Sequence, residues 1–131
     1  MTVAPRIYVD TSALAKLLLG EPDSSALSSW LDASQTELVS SDLLETELRR
    51  IAVREGVEQK VATAILAGVS LATLDRTAFR SAGLLPGKHL RTLDALHLES
   101  ALRLGAAAML TYDHRLAEAC ESVGLETIAP S

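Results

Sequence analysis

Apolar positions along this chain follow two alternating periods. Short runs such as Ile7-Tyr8-Val9, Leu38-Val39-Ser40, Ser70–Leu74, Ala107–Thr111 and Leu125–Ile128 have the length of buried strands. Between them lie stretches with helical spacing: Ser12–Leu19, a second segment with Ala26, Leu27, Trp30 and Leu31 on one face, Asp42–Glu55, Glu58–Ala67, Asp75–Ala82, Leu93–Leu104 and Asp113–Ser122. Gly20-Glu21-Pro22-Asp23 breaks the first two helices, Gly56 and Gly68 stand where helices should stop, and Gly83–Gly87 reads as a loop. Strands separated by helices predict an α/β fold with a mostly parallel central sheet of about five strands flanked by helices.

At 131 residues the chain reads as one domain over positions 1–131, with no internal repeat, low-complexity tract or long linker. Aromatic residues make up only 3%, so Leu, Ala, Val and Ile must build the core. No apolar run approaches the roughly 18–20 residues that span a bilayer, which argues against a membrane partner. The N-terminus lacks the basic-then-apolar pattern of a secretory leader, and the single Cys120 excludes an internal disulfide framework. A cytoplasmic location is therefore expected.

The candidate chemistry lies in four acids at or inside apolar stretches: Asp10, Glu47, Asp94 and Asp113. A carboxylate in such surroundings is costly unless something compensates it. Asp10 and Asp113 close two predicted strands, the position where ligands gather in open parallel sheets. Each also has an ordinary structural role available. Asp10, Ser12 and Asp113 are helix caps by type, and Asp94 lies in a first helical turn, where the macrodipole favours negative charge. Glu47 is mid-helix, about 60° from Leu44 and on the border of the apolar arc formed by Leu44, Leu48, Ile51 and Ala52. Glu45 lies on the more polar side of that helix and reads as a surface acid, although it remains a rival to Glu47; a surface ion pair of Glu47 with Arg50 is the plain alternative. His97 reads as a partly buried helix residue, and His89 and His114 as surface or loop residues.

Several buried acids without matching buried bases point to a divalent cation. An all-carboxylate set without a cysteine cluster or a His pair at i, i+4 favours Mg²⁺ or Mn²⁺ over zinc. The chain lacks G-x-S-x-G, G-x-x-x-x-G-K-[ST] and G-x-G-x-x-G motifs, which removes support for a serine hydrolase, a P-loop NTPase or a dinucleotide-binding enzyme. The formal charge of −5 argues superficially against nucleic acid, but setting the four acids aside leaves only about −1. The placement of the cations says more: Arg50 and Arg54 beside Glu47, Lys88 and Arg91 before Asp94, and Arg115 after Asp113 are candidate phosphate contacts.

The strings Ile7-Tyr8-Val9-Asp10-Thr11-Ser12-Ala13-Leu14, Leu90-Arg91-Thr92-Leu93-Asp94-Ala95-Leu96-His97-Leu98 and Leu110-Thr111-Tyr112-Asp113-His114-Arg115-Leu116 resemble the PIN-domain family, and within it the VapC toxins of toxin–antitoxin pairs. Ser41–Arg50 fits that family's central helix with Glu47 at the acidic position, so the resemblance covers essentially the whole chain. It implies an Mg²⁺- or Mn²⁺-dependent endoribonuclease whose quartet is Asp10, Glu47, Asp94 and Asp113, with Ser12 and Thr111 as supporting hydroxyls. It further implies RNA hydrolysis by an activated water that leaves 5′-phosphate and 3′-hydroxyl ends, a small VapB-type antitoxin, and a homodimer. The aliphatic set Val61, Ala64, Ile65 and Ala67 is a face that a second subunit or the core could cover. Two other readings are a non-catalytic PIN-like module that binds RNA or protein, and an Asp-based phosphotransfer protein. The second is weakened by Ser12, which stands where a haloacid-dehalogenase-like phosphatase has its second Asp.

Overall fold

The computed structural model describes residues 4–131. Five strands, β1 (Arg6–Val9), β2 (Glu37–Ser41), β3 (Ser70–Ala72), β4 (Ala108–Leu110) and β5 (Glu126–Ile128), form one sheet in the order β3-β2-β1-β4-β5. All four pairings are parallel. The helices are α1 (Thr11–Leu19), α2 (Ser24–Ala33), α3 (Leu43–Glu55), α4 (Gln59–Leu66), α5 (Arg76–Gly83), α6 (Thr92–Arg103) and α7 (His114–Ser122). The elements expected from the sequence are present, with boundaries moved by two residues or fewer.

The period-2 geometry of the central strands divides the interior into two layers. Ile7 and Val9 of β1, with Ala108 and Leu110 of β4, face Leu14 and Leu18 of α1, Leu27 of α2, Leu44 and Leu48 of α3 and Leu66 of α4. The intervening residues, Tyr8 and Met109, point the other way and pack with Val39 of β2 on Leu98 and Ala101 of α6 and Leu116 and Cys120 of α7. The α5 helix adds Ala82 against Ala95 and Leu96 of α6. Because helices cover both faces, the inner strands read as continuous apolar runs. Trp30 and Leu31 of α2 pack on the first layer, as their helical phase predicts. Helix α3 stops where expected, at Gly56 (φ 69°), whose N–H reaches back to the carbonyls of Ala52 and Val53.

From β1 the chain builds outward through β2 to β3, then crosses back to lay β4 against the opposite side of β1. The strand order therefore reverses between β1 and β4, and a crevice opens beyond their carboxyl ends. Asp10 directly follows β1, and Thr111, Tyr112 and Asp113 directly follow β4. Among the described residues, no helix is long and apolar enough to cross a membrane.

Candidate active site

Asp10 is 5% exposed, yet its carboxylate is densely bonded. Ser12 Oγ donates to Oδ1 at 2.7 Å and Thr111 Oγ1 donates to Oδ2 at 3.0 Å, while the Ala13 N–H reaches Oδ1 at a long 3.4 Å. The cap role is real but secondary to the hydroxyls. Ser12 and Thr111 also tie the two strand ends together: Ser12 Oγ accepts from the Tyr112 N–H, Thr111 Oγ1 accepts from the Asp113 N–H, and the two hydroxyls lie 3.2 Å apart. Burial still dominates. It raises the Asp10 carboxyl from its ordinary 3.8 to about 6 against the opposing pull of Ser12, His97 and Thr111. The fold thus holds a carboxylate where its charge is poorly tolerated.

Glu47 reaches the same region from α3. Its Oε1 accepts from Thr11 Oγ1 at 3.0 Å and lies 2.6 Å from His97 Nε2. A carboxylate oxygen accepts, so the proton in the short bond belongs to the imidazole. His97 is 2% exposed, and its Nδ1 lies 2.7 Å from the hydroxyl of Tyr8, which is in turn 3.1 Å from Ser41 Oγ. Tyr8 and His97 also meet edge to face, with ring centroids 5.7 Å apart. A buried chain of side chains from β1, β2 and α6 thus fixes Oε1 of Glu47, and among the described residues nothing hydrogen-bonds its Oε2. Glu45 is exposed on the outer face of α3 and pairs with Arg49 at 3.1 Å.

Asp94, in the first turn of α6, and Asp113, which caps α7 through the N–H groups of Arg115 (2.9 Å) and Leu116 (3.2 Å), complete the set. Burial raises the Asp94 carboxyl, and the Asp113 charge raises it further, while Arg91 and His97 pull it back. Arg91 bridges the two acids, with Nε 3.3 Å from Asp94 Oδ2 and Nη2 3.3 Å from Asp113 Oδ2.

All four acids, with Ser12, His97 and Arg91, line one cleft of about 460 Å³. Among the described residues, no three carboxylate, imidazole or thiol side chains draw together closely enough to enclose an ion as they stand. An all-oxygen set with open positions nevertheless suits Mg²⁺ or Mn²⁺, since Mg²⁺ keeps several of its waters. The unbonded Glu47 Oε2 and the charge-starved Asp10 fit the same ions.

Of the five cations singled out from the sequence, only Arg91 lines this cleft. Arg50 and Arg54 follow Glu47 along α3, and each residue rises about 1.5 Å along a helix axis. They are carried away from the strand ends, Arg50 to an exposed position and Arg54 to an ion pair with Glu55. Lys88 and Arg115 line a separate, smaller cleft. The residue that pattern reading missed is His97. Its position three residues after Asp94, on the same edge of α6, was the available signal.

The PIN domain family matches residues 7–122. The chain is 37% identical to Ribonuclease VapC47 of Mycobacterium tuberculosis (strain CDC 1551 / Oshkosh), over 95% of this chain and 96% of that relative. It is 40% identical to Ribonuclease VapC35 of Mycobacterium tuberculosis (strain ATCC 25618 / H37Rv), with the same coverage of each. Among solved structures, the fold matches Mycobacterium tuberculosis VapC20, described as a Sarcin-Ricin loop cleaving toxin, at a TM-score of 0.77 and 16% identity, over 95% of this chain and 99% of that one. It also matches a chain of a toxin-antitoxin complex from Klebsiella pneumoniae at a TM-score of 0.71 and 16% identity, covering 95% and 98% respectively. The chain belongs to the PIN-domain family, among its VapC-type members. That membership removes the phosphotransfer alternative.

Proposed function

We propose that this protein is an Mg²⁺- or Mn²⁺-dependent endoribonuclease and the toxin of a VapBC-type toxin–antitoxin pair. The observation that carries the reading is the convergence of Asp10, Glu47, Asp94 and Asp113 on one cleft at the β1–β4 switch point, in a chain 37–40% identical to proteins named VapC ribonucleases. The four carboxylates would hold the cation. The chemistry that such an ion supplies when bound is Lewis acidity, which acidifies a water and offsets charge on phosphate oxygens.

The remaining work belongs to the chain. Ser12 and Thr111 hold Asp10 in one orientation, and the His97–Tyr8–Ser41 chain does the same for Glu47, so neither carboxylate must be ordered when substrate arrives. Arg91 is the cation positioned to meet the substrate's backbone phosphate. With aromatics at 3%, base stacking contributes little to affinity, and selection among RNAs falls to shape and to loops around the cleft. An antitoxin that covers the cleft and a homodimer belong to the same reading. Val61 and Ala64 on α4 are exposed and available to a second subunit, whereas Ala62 and Leu66 are the residues that α4 buries.

The test is incubation of the purified protein with a panel of structured RNAs in Mg²⁺, Mn²⁺ or EDTA, beside Asp94→Asn. Cleavage that requires the metal, leaves 5′-phosphate ends and is lost in the variant is expected. RNA binding without cleavage of any substrate would favour a non-catalytic module, and full activity in Asp94→Asn would refute the assignment.

A further inference from the structure

We infer that Arg91 is a built-in competitor for the cation site: its guanidinium pairs with Asp94 and Asp113, and a divalent cation that binds these acids displaces it toward the substrate phosphate. The inference rests on the cation-binding reading above. Three observations carry it. First, among the described residues Arg91 is the one Lys or Arg lining the acidic cleft, and it spans the two acids with Nε and Nη2 rather than bonding either in a two-pronged pair. Second, both oxygens of Asp113 are engaged. Its Oδ1 accepts the two N–H groups that cap α7, and its Oδ2 accepts Arg91. An ion that draws on Asp113 would therefore compete with the guanidinium at Oδ2 or with the helix cap at Oδ1.

Third, the bridge is easily exchanged. Both contacts are long at 3.3 Å, and the Arg91 side chain is 60% exposed while the carboxylates are 13% and 24% exposed. With the guanidinium largely in solvent, contacts of this length contribute modestly, and their loss on exchange is small. A divalent ion and a guanidinium sharing the same oxygens would repel each other at a few ångströms, which disfavours holding both at once. Arg91 is also the extended residue just before α6 (φ −77°, ψ 161°) and makes no side-chain cap bond to the helix, so its swing leaves α6 intact. A released guanidinium beside the cleft presents the planar fork suited to a phosphate.

The experiment is calorimetric titration of the full chain with Mn²⁺ at pH 7.5, comparing the native protein with Arg91→Ala and Arg91→Gln, with folding checked by thermal melts. Both variants should bind Mn²⁺ tighter, by on the order of two- to fivefold, because an internal competitor has been removed. Both should also show a raised KM for RNA with a smaller change in kcat. In the native protein, Mg²⁺ should move the Arg91 Nε–Hε resonance away from its ion-paired position. Unchanged or weaker Mn²⁺ affinity in both variants would overturn the competition while leaving the cation site standing. Absence of Mn²⁺ binding in all three proteins would overturn both.

Discussion

Replacing Asp10 with Asn should stabilise the protein in the absence of metal while removing its function. The Asp10 carboxyl is raised from 3.8 to about 6, and burial is the main cause. A folded-state value above the unfolded one means that the folded form binds the proton more tightly in between. The ionised group therefore burdens the folded state in full above about pH 6, and the burden disappears as pH falls to about 4. A shift of this size corresponds to about 3 kcal/mol. Asn keeps the Oδ1 acceptor for Ser12 and Ala13, and its amide can donate to Thr111 Oγ1, so most of that amount should appear as a gain. Urea unfolding in EDTA should show Asp10→Asn more stable by about 2–3 kcal/mol at pH 7, with the gap closing toward pH 4. Mn²⁺ at a hundred times its dissociation constant should add about 2.7 kcal/mol to the native protein and little to the variant. Equal or lower stability of Asp10→Asn at pH 7 would refute the claim that the fold holds this carboxylate against its preference.

Two further expectations concern Glu47. Replacing His97 with Gln should weaken Mn²⁺ binding by about 10- to 100-fold, since groups that orient a ligand carboxylate carry that much. Tyr8→Phe, which cuts the chain one link further back, should weaken it less; Mn²⁺ affinity unchanged in His97→Gln would remove the orienting role. Glu47→Gln should lower Mn²⁺ affinity by about tenfold or more, whereas Glu45→Gln, at a surface pair with Arg49, should change it little. A loss confined to Glu45→Gln would reverse the assignment on α3.

The sheet and helices were legible because the chain keeps its periods apart. Ile7, Tyr8 and Val9 form an unbroken apolar run because β1 is the middle strand, and the parity of these three residues decides which helical layer each one meets. The convergence of Asp10 and Asp113 was legible from strand ends, whereas helical phase puts Glu45 and Glu47 on opposite borders of the apolar arc of α3 and does not choose between them. His97 escaped because its partners, Glu47 and Tyr8, are 50 and 89 residues away along the chain, and only the closing of α6 over β1 brings them into contact. Arg50 and Arg54 show the converse limit. Phase places them on the edge of α3 with Glu47 but says nothing of distance along the axis, which is what separates them from the cleft. The cap and ligand readings of Asp113 were posed as alternatives, yet the structure has one oxygen capping α7 and the other facing Arg91 in the cleft.

The most direct test of the central claim is anomalous diffraction from crystals soaked in Mn²⁺. The account predicts a peak in the cleft about 2.0–2.3 Å from carboxylate oxygens drawn from Asp10, Glu47, Asp94 and Asp113, with the Arg91 guanidinium moved off Asp113. Saturating Mn²⁺ that leaves no peak there, or that binds only elsewhere on the molecule, would contradict it.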